Sequence, residues 1–380
     1  MTDEARRRPR LSAKKVHRRV EPGLPAAGRS PETGGFVPVP ASLEAGMVRL
    51  PESGPIPAGW RVIGARELTE HLLSIRFLAS LLILGLAGIV TIYAVAGTIR
   101  EAASDLPQTA TGPLPVFSFL FTLPPTTGGA LGQQFPSFAQ LVALLGPALG
   151  IAFGFDAVSS ERADGTLPRL VSQPIHRDDV VNGKFVASLG VIALILGVVT
   201  LLLAAIGIIR LGVAPTGDVG MRLLAWYGVA VLYIAFWLAL ALLCSVLFRR
   251  AATAALVVIA AWLILTFFGS QIFSIVGNFV APVREDATAQ QQLANAQLTV
   301  QLSRLSPITL FLEMTQALLD PTVRTLDLSP TDPTGRALPS LLPFGQSLLI
   351  IWPHVAGLLA ATVAWFAAAY ITFMRQEVRA

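Results

Sequence analysis

The sequence predicts an all-α polytopic membrane protein with six transmembrane helices. Its 380 residues are 53% hydrophobic and only 13% charged, whereas a soluble domain averages about 25% charged residues. The apolar residues are also gathered into six long runs, at 77–99, 138–155, 185–209, 223–247, 254–279 and 348–374. Each run approaches the ~20 residues that cross the hydrocarbon core of a bilayer, so each predicts one membrane span.

The segment before the first run has two parts of different composition. Residues 1–59 are rich in proline and glycine after a basic start and show no apolar period, which predicts a disordered basic cytoplasmic tail. This tail either lies on anionic lipid or only helps to set the orientation of the chain. In residues 60–76, Leu68, Leu72 and Ile75 recur at helical spacing among polar residues, which predicts an amphipathic helix at the membrane interface.

The basic residues are distributed as membrane topology requires. With the N-terminus in the cytoplasm, 21 of the 28 lysines and arginines fall on the cytoplasmic side and seven fall on the other side. Such an excess of basic residues marks the cytoplasmic loops of membrane proteins. The sequence therefore predicts a multi-pass protein of the cell membrane with both termini cytoplasmic. The net charge of +5 is assigned to topology and not to nucleic-acid binding.

The remaining segments complete the predicted organisation. Residues 77–279 hold spans 1 to 5, with a cytoplasmic loop at 156–184 between spans 2 and 3. Residues 280–347 form an extracytoplasmic segment whose first half has a helical pattern and whose second half is broken by prolines. Residues 348–380 hold span 6 and the cytoplasmic C-terminus. The apolar stretch 114–123 is too short to span a membrane and predicts a re-entrant or interfacial segment.

The sequence lacks the motifs that would make the chain an enzyme. It has no G-x-x-x-x-G-K-[ST] loop for a nucleotide phosphate and no H-E-x-x-H zinc motif. Only His354 among the four histidines falls within an apolar run, where it is either a helix–helix contact or a functional group. No acidic residue lies well inside the runs, which argues against ion coupling and for an external energy source. The single cysteine, Cys244, predicts a small buried side chain and no disulfide.

The second span carries a stripe of small residues. Gly146, Gly150 and Gly154 recur at every fourth position, so they share one face of a helix. A stripe of this kind lets another membrane helix approach the backbone closely. We expect a helix-packing face, with a face that slides during transport as the alternative.

The loop at 156–184 is longer than a connector between two spans needs, and it has a turn at Asp164–Gly165. Its sequence closely resembles the signature of type-2 ABC export permeases, and most of all the nitrous-oxide-reductase-maturation and gliding-type branch. The matching residues are Glu161-Arg162-Ala163-Asp164-Gly165-Thr166-Leu167, then Pro174-Ile175 and Arg177, then Gly183-Lys184. Weaker similarities are found around Arg66-Glu67-Leu68 and around Ser306-Pro307.

The resemblance implies a six-span permease that exports cargo when a separate ATPase pushes on the loop. In that family the loop forms a coupling helix that rests in a groove of the ATPase. The resemblance also implies a dimer of ABC ATPase subunits, which holds ATP and Mg²⁺, and a second permease copy, identical or related. No residue of this chain is expected to be catalytic or to hold a cofactor or metal. The implied docking residues are Glu161, Arg162, Asp164, Gly165, Thr166, Leu167, Leu170, Pro174 and Arg177.

A second function remains open at this stage. In a mechanotransmitter, the same ATPase motor would act on an extracytoplasmic partner through residues 280–347, and nothing would cross the membrane. An exporter predicts a polar-lined cavity at the dimer interface, whereas a transmitter predicts a dry one. The low polarity of the spans favours an apolar or amphipathic cargo such as a lipid or a drug. A polytopic membrane enzyme is disfavoured because no set of convergent catalytic groups is present.

The predicted topology is tested by labelling single cysteines with a membrane-impermeant reagent in intact cells. We expect a cysteine at Ser303, in the extracytoplasmic segment, to be labelled and one at Ser172, in the cytoplasmic loop, to be protected. The opposite labelling pattern would reverse the orientation of the chain.

Overall fold

Six helices long and apolar enough to cross a membrane dominate the part of the chain that the structure describes. The computed structural model describes residues 59–105, 116–122, 136–165, 177–212, 214–283, 287–320, 326 and 342–376, so almost all of the predicted tail lies outside it. No strand is present in these ranges, and the predicted all-α polytopic membrane fold is confirmed. The six spans are Ile75–Asp105, Phe138–Gly154, Arg177–Leu211, Gly217–Leu247, Ala251–Val280 and Phe344–Arg375.

Most spans continue beyond the apolar runs that predict them. Span 3 begins at Arg177, well before the predicted residue 185, and its first turn contains Asp178 and Asp179. Acidic side chains near a helix N-terminus interact favourably with the helix dipole. Polar residues can therefore extend a spanning helix past the hydrocarbon, where hydropathy alone no longer detects it.

The helix predicted at 60–76, which we call the interfacial helix, comprises Gly59–Leu72 and packs along the first turns of span 3, whereas Ile75 begins span 1. Close approach depends on Gly183, because a Cβ there would lie 2.9 Å from the Cβ of Ile63 and from the carbonyl oxygen of Trp60. The helix ends before Ser74, whose hydroxyl donates to the carbonyl of His71 at 2.6 Å and accepts from the amide of Phe77 at 3.3 Å. We call the end of the bundle that holds this helix the inner end, and the opposite end the outer end.

The glycine stripe of span 2 lies against span 4. A Cβ on Gly150 would come within 2.8 Å of the carbonyl oxygen of Ile234, and one on Gly154 within 2.8 Å of the Cβ of Ala241. Gly146 faces the side chain of Ile234 in the same way. The backbones of the two spans therefore approach more closely than larger side chains would permit.

Span 4 is the centre of the bundle. Its most apolar window is 83% buried, whereas that of span 5 is 11% buried. At the outer end, the ring of Trp226 lies within about 6 Å of Phe121 and Phe138 and 6.4 Å from Phe311. Phe121 belongs to a short helix, Val116–Thr122, which the apolar stretch 114–123 forms against this aromatic cluster.

The segment between spans 5 and 6 folds back into the bundle as a hairpin of two helices. The descending helix, Ala289–Ser303, packs on the outer end of span 5, where Asn295 donates to the carbonyl of Ala281 at 2.7 Å. The ascending helix, Pro307–Leu319, packs along span 4 and span 6. The sequence suggests one helix here, but the chain breaks at residues 304–306 because proline is favoured in the first turn of a new helix.

The hairpin reaches the middle of the bundle. Leu318 of the ascending helix contacts Arg222 near the start of span 4, and Phe311 stacks on Tyr233 with ring centroids 4.6 Å apart. Eleven residues of span 4 separate these two contacts, a distance of about 16 Å at 1.5 Å per residue. Since Ser303 is half-buried in this hairpin and Gln290 is exposed, Gln290 is the better outer position for cysteine labelling.

Adding a methyl group at Gly150 is expected to separate spans 2 and 4. The new Cβ would meet the backbone of span 4, which cannot rotate away, so Gly150→Ala should destabilise the protein by about 1–3 kcal/mol. The melting temperature of the detergent-solubilised protein should fall accordingly.

Gly357→Ala is the matched control. Gly357 lies within span 6, and a Cβ added there would have no neighbour within 4 Å, so alanine should be neutral or should stabilise the helix by up to about 1 kcal/mol. Equal melting temperatures for the two variants would show that the glycine stripe is not a close packing face.

Candidate functional site

A cluster of charged and polar side chains holds the start of the 156–184 loop against the inner end of the bundle. After span 2 the chain makes a turn and then a short inner helix, Ser159–Ala163. The turn is fixed by Ser245 of span 4, whose hydroxyl accepts from the amides of Val158 and Ser159 at 3.0 and 3.1 Å. The inner helix ends at Asp164 and Gly165, and Gly165 has a φ of +66°, which glycine adopts without strain.

Lys184 of span 3 lies at the centre of this cluster. Its ammonium group is 2.5 Å from Glu67 of the interfacial helix and 2.8 Å from Glu161 of the inner helix. The side chains of Lys184, Glu67 and Glu161 are only 5%, 13% and 18% exposed. A charge buried to this degree needs a partner, so these three groups hold three elements together.

A partly buried histidine, His71, lies beside this triad. Burial lowers the pKa of His71, and the nearby Glu67 acts in the opposite direction. The Nε2 atom of His71 is 3.3 Å from the hydroxyl of Ser188, which donates to the carbonyl of Phe153 at 3.2 Å. The interfacial helix is thus joined to spans 2 and 3 by a chain of hydrogen bonds next to the ion pairs.

Arg162 connects the inner helix to two other spans. One of its nitrogens donates to the carbonyl of Val246 at the end of span 4 at 3.3 Å, and another donates to the side-chain oxygen of Gln376 after span 6. Gln376 in turn donates to the carbonyl of Val246 at 3.0 Å. Neighbouring residues 161 and 162 therefore contact different spans, Glu161 the start of span 3 and Arg162 the ends of spans 4 and 6.

Span 1 has its own contact with the cluster. Arg76 pairs with Asp156 at 2.5 Å and donates to the carbonyl of Ala152 at 3.2 Å. Its guanidinium also lies 5.2 Å from the ring centre of Phe155. The turn after span 2 is consequently joined to spans 1 and 4, and the inner helix to span 3, the interfacial helix and the ends of spans 4 and 6.

The structure places only some of the predicted docking residues. Glu161 and Arg162 lie in the cluster just described, and Asp164 and Gly165 are exposed at the end of the inner helix. Arg177 begins span 3. Thr166, Leu167, Leu170 and Pro174 lie outside the described residues. Contact of these nine residues with an ATPase stays a prediction.

Several residues of the cluster were not predicted as site residues. Glu67 and Lys184 belong to the recognised sequence similarities, but their pairing joins positions 117 residues apart, which no local pattern reveals. Ser245 and Gln376 carry no motif at all. The signal that could have found Lys184 is its position: a lysine at the start of a buried helix requires an acidic partner.

The outer end holds two further polar clusters that the sequence did not predict. Arg222 is 1% exposed and donates to the carbonyl of Leu318 and the hydroxyl of Ser347, both at 3.0 Å. Glu313 of the ascending helix lies 2.9 Å from Arg304 and 2.6 Å from His354 of span 6. Glu313 thus brings a carboxylate into the bundle from outside the apolar runs, where the sequence led us to expect none.

The histidine of this outer cluster has one unused ring nitrogen. His354 is 7% exposed, and its Nδ1 atom has no hydrogen-bond partner among the described residues. Its Nε2 atom faces Glu313 of the ascending helix. Through this nitrogen His354 makes a helix–helix contact, which is one of the two roles that the sequence predicts for it. The described residues contain no group of three or more side chains suited to a metal ion.

Comparison with models of known protein families covers most of the chain. A family model described as ABC-2 family transporter protein matches residues 61–378. A search of curated proteins gave no match. The matched region includes the interfacial helix, all six spans and the inner cluster.

Replacing Lys184 by methionine is expected to loosen the inner end. The change leaves two buried carboxylates without their cation, a loss of about 3–5 kcal/mol in other proteins, and should lower the melting temperature of the solubilised protein. Neutralising the carboxylates as well, with Glu67→Gln and Glu161→Gln, should recover part of the loss because no uncompensated charge remains.

Arg66→Gln provides the control within the same helix. It removes the pair between Arg66 and Glu70, whose side chains are 68% and 55% exposed, and exposed pairs contribute little to stability. If Lys184→Met melted at the same temperature as Arg66→Gln, the triad would not hold the interfacial helix.

Proposed function

The chain belongs to the ABC-2 transporter family, and we propose that it exports cargo when a separate ATPase acts on its 156–184 loop. It is accordingly a multi-pass membrane protein and the permease component of an ABC transporter. Two features belong to the proposal: the outward direction of transport, and coupling of ATP hydrolysis to the spans through this loop.

The inner cluster is the observation that carries the proposal. Glu161 reaches span 3 and the interfacial helix through Lys184, and Arg162 reaches the ends of spans 4 and 6. A displacement of the inner helix would therefore act on four helices at once. A loop that served only as a connector would not need to be attached to helices other than the two that it joins.

The chemistry of the contacts suits transmission of a displacement. The carboxylates and the ammonium group lie where little water reaches them, and separating them would leave buried charges unpaired at a cost of about 3–5 kcal/mol. Moving the helices together avoids that cost. The inner helix, span 3 and the interfacial helix are thus expected to move as one body.

The proposed complex contains two copies of the permease and two ATPase subunits, with ATP and Mg²⁺ held by the ATPases. In this chain Gly183 and Lys184 are engaged by the interfacial helix and the two carboxylates. The Gly183–Lys184 pair therefore has a structural role, the packing of span 3 against the interfacial helix and the inner helix. The apolar spans favour an apolar or amphipathic cargo, and membership of a nitrous-oxide-reductase-maturation or gliding-type branch remains a part of the proposal.

The hairpin between spans 5 and 6 is packed on spans that the loop would move. Its ascending helix is buried along spans 4 and 6, with Phe311, Met314 and Leu318 fully covered. These described residues fill the outer half of the bundle, where movement of spans 4 and 6 would also move the hairpin. Mechanotransmission to an extracytoplasmic partner remains the alternative that the following experiment separates.

Replacing Leu167 and Leu170 together by aspartate is expected to uncouple the transporter. Three positions apart, they would share one face of a short helix, and two charges there would disfavour docking into an apolar groove of the ATPase. ATPase subunits should be lost on purification, or hydrolysis should no longer respond to the permease. Insertion and melting temperature of the permease should be unchanged.

The double change to methionine keeps the face apolar and serves as the control. Normal coupling in the aspartate variant would reduce the loop to a connector. To separate export from mechanotransmission, inside-out vesicles that contain the complex are supplied with ATP and a panel of amphipathic dyes. Export predicts ATP-dependent dye accumulation that the aspartate variant lacks, whereas hydrolysis without accumulation of any dye would favour mechanotransmission.

A further inference from the structure

Span 1 has a recess on the side that faces away from the core. A groove of about 420 Å³ lies between span 1 and the beginning of span 2. It is lined by Ile83, Leu86, Ala87 and Val90 of span 1 and by Pro136 and Leu141 at the start of span 2. The lining is almost entirely apolar, so the groove suits a hydrocarbon chain.

The groove continues into an exposed stripe of span 1. Ile83, Leu86, Val90 and Tyr93 follow one another at helical spacing and are 61%, 66%, 57% and 55% exposed. Residues at this spacing lie on one face of a helix. The stripe therefore leads from the groove to the ring of Tyr93.

The groove lies in the outer half of the membrane-spanning part of span 1. Arg76 marks the inner end through its pair with Asp156, and Tyr93 lies 17 residues further along the helix. That separation is about 26 Å at 1.5 Å per residue, close to the ~30 Å thickness of the hydrocarbon core. Tyr93 is thus near the outer interface, with the groove directly below it.

An arginine lies over Tyr93 at this level. The guanidinium carbon of Arg210, at the end of span 3, is 4.0 Å from the centre of the Tyr93 ring. In the part of the chain that the structure describes, no carboxylate pairs with Arg210, and its buried Nε atom has no acceptor. The ring positions the cation but does not neutralise it.

We propose that this surface is a binding site for an acidic phospholipid of the outer leaflet. The phosphate accepts hydrogen bonds from Arg210 beside Tyr93, and one acyl chain lies along Leu86 and Val90 into the groove. The inference concerns a different surface from the inner cluster, so it does not depend on the proposed mode of coupling.

The charge of Arg210 selects the headgroup. Guanidinium groups bind phosphate through paired hydrogen bonds, and a lipid with net negative charge leaves the site neutral. A zwitterionic lipid brings its own cation next to Arg210 and is therefore bound less tightly. Tyrosine at the membrane interface is well suited to such a site because its ring is apolar and its hydroxyl is polar.

The site is tested on the purified full-length chain by native mass spectrometry during titration with phosphatidylglycerol or phosphatidylcholine. We expect tighter binding of the first phosphatidylglycerol than of the first phosphatidylcholine. Arg210→Gln should weaken phosphatidylglycerol binding about tenfold, as expected for one hydrogen-bonded charge pair, and should abolish the preference between the lipids. Arg210→Lys should retain the preference in part because the charge remains.

The groove is tested by filling it. Ala87→Phe should weaken the binding of both lipids, whereas Ala260→Phe, at an exposed position of span 5, should change neither. Melting temperatures show that each variant is folded. Equal binding of the two lipids to the unmodified chain, or unchanged binding in both Arg210→Gln and Ala87→Phe, would overturn the proposal.

Discussion

The inner end of the molecule depends on a single buried ammonium group. Lys184 lies between Glu67 and Glu161, and each carboxylate belongs to a different element. Because none of these charges is easily exposed to water, the elements that carry them must remain together. Gly183 makes the arrangement sterically feasible by letting the interfacial helix contact the backbone of span 3. Gly183 thus supplies the space, and the adjacent Lys184 the charge, for the contact between span 3 and the interfacial helix.

The outer end is joined by a comparable arrangement, which is again centred on a buried cation. Arg222 pairs with Asp218 at 2.7 Å and donates to several carbonyl and hydroxyl oxygens, and it connects span 4 to the hairpin and to the start of span 6. The central span 4 is therefore held at both ends, by Val246 and Ser245 at the inner end and by Arg222 at the outer end. Span 5 has the least buried surface of the six. A short π-helix, Ile264–Phe268, lies in the middle of this span.

Hydropathy predicts the six spans because a bilayer selects long apolar runs. The helical pattern in the first half of residues 280–347 predicts helix over Pro307–Leu319, but neither this pattern nor hydropathy predicts that this short helix is buried along span 4. The carboxylate of Glu313 inside the bundle was not predicted either, because Glu313 lies on this ascending helix. Pairings such as Glu67 with Lys184 depend on how distant segments are brought together, and a single sequence carries no record of that. The similarity in the 156–184 loop singled out Glu161 and Arg162 as docking residues, and the structure shows that both make contacts within the chain. Their contact with an ATPase stays a prediction.

The contact of Arg162 with Gln376 has a consequence for biosynthesis. A polypeptide is made from its N-terminus, so the inner helix is synthesised long before its partner beyond span 6. Until the sixth span is inserted, Arg162 lacks this acceptor and keeps the carbonyl of Val246 as a partner. The contacts of the inner helix are therefore complete only once the sixth span has been inserted.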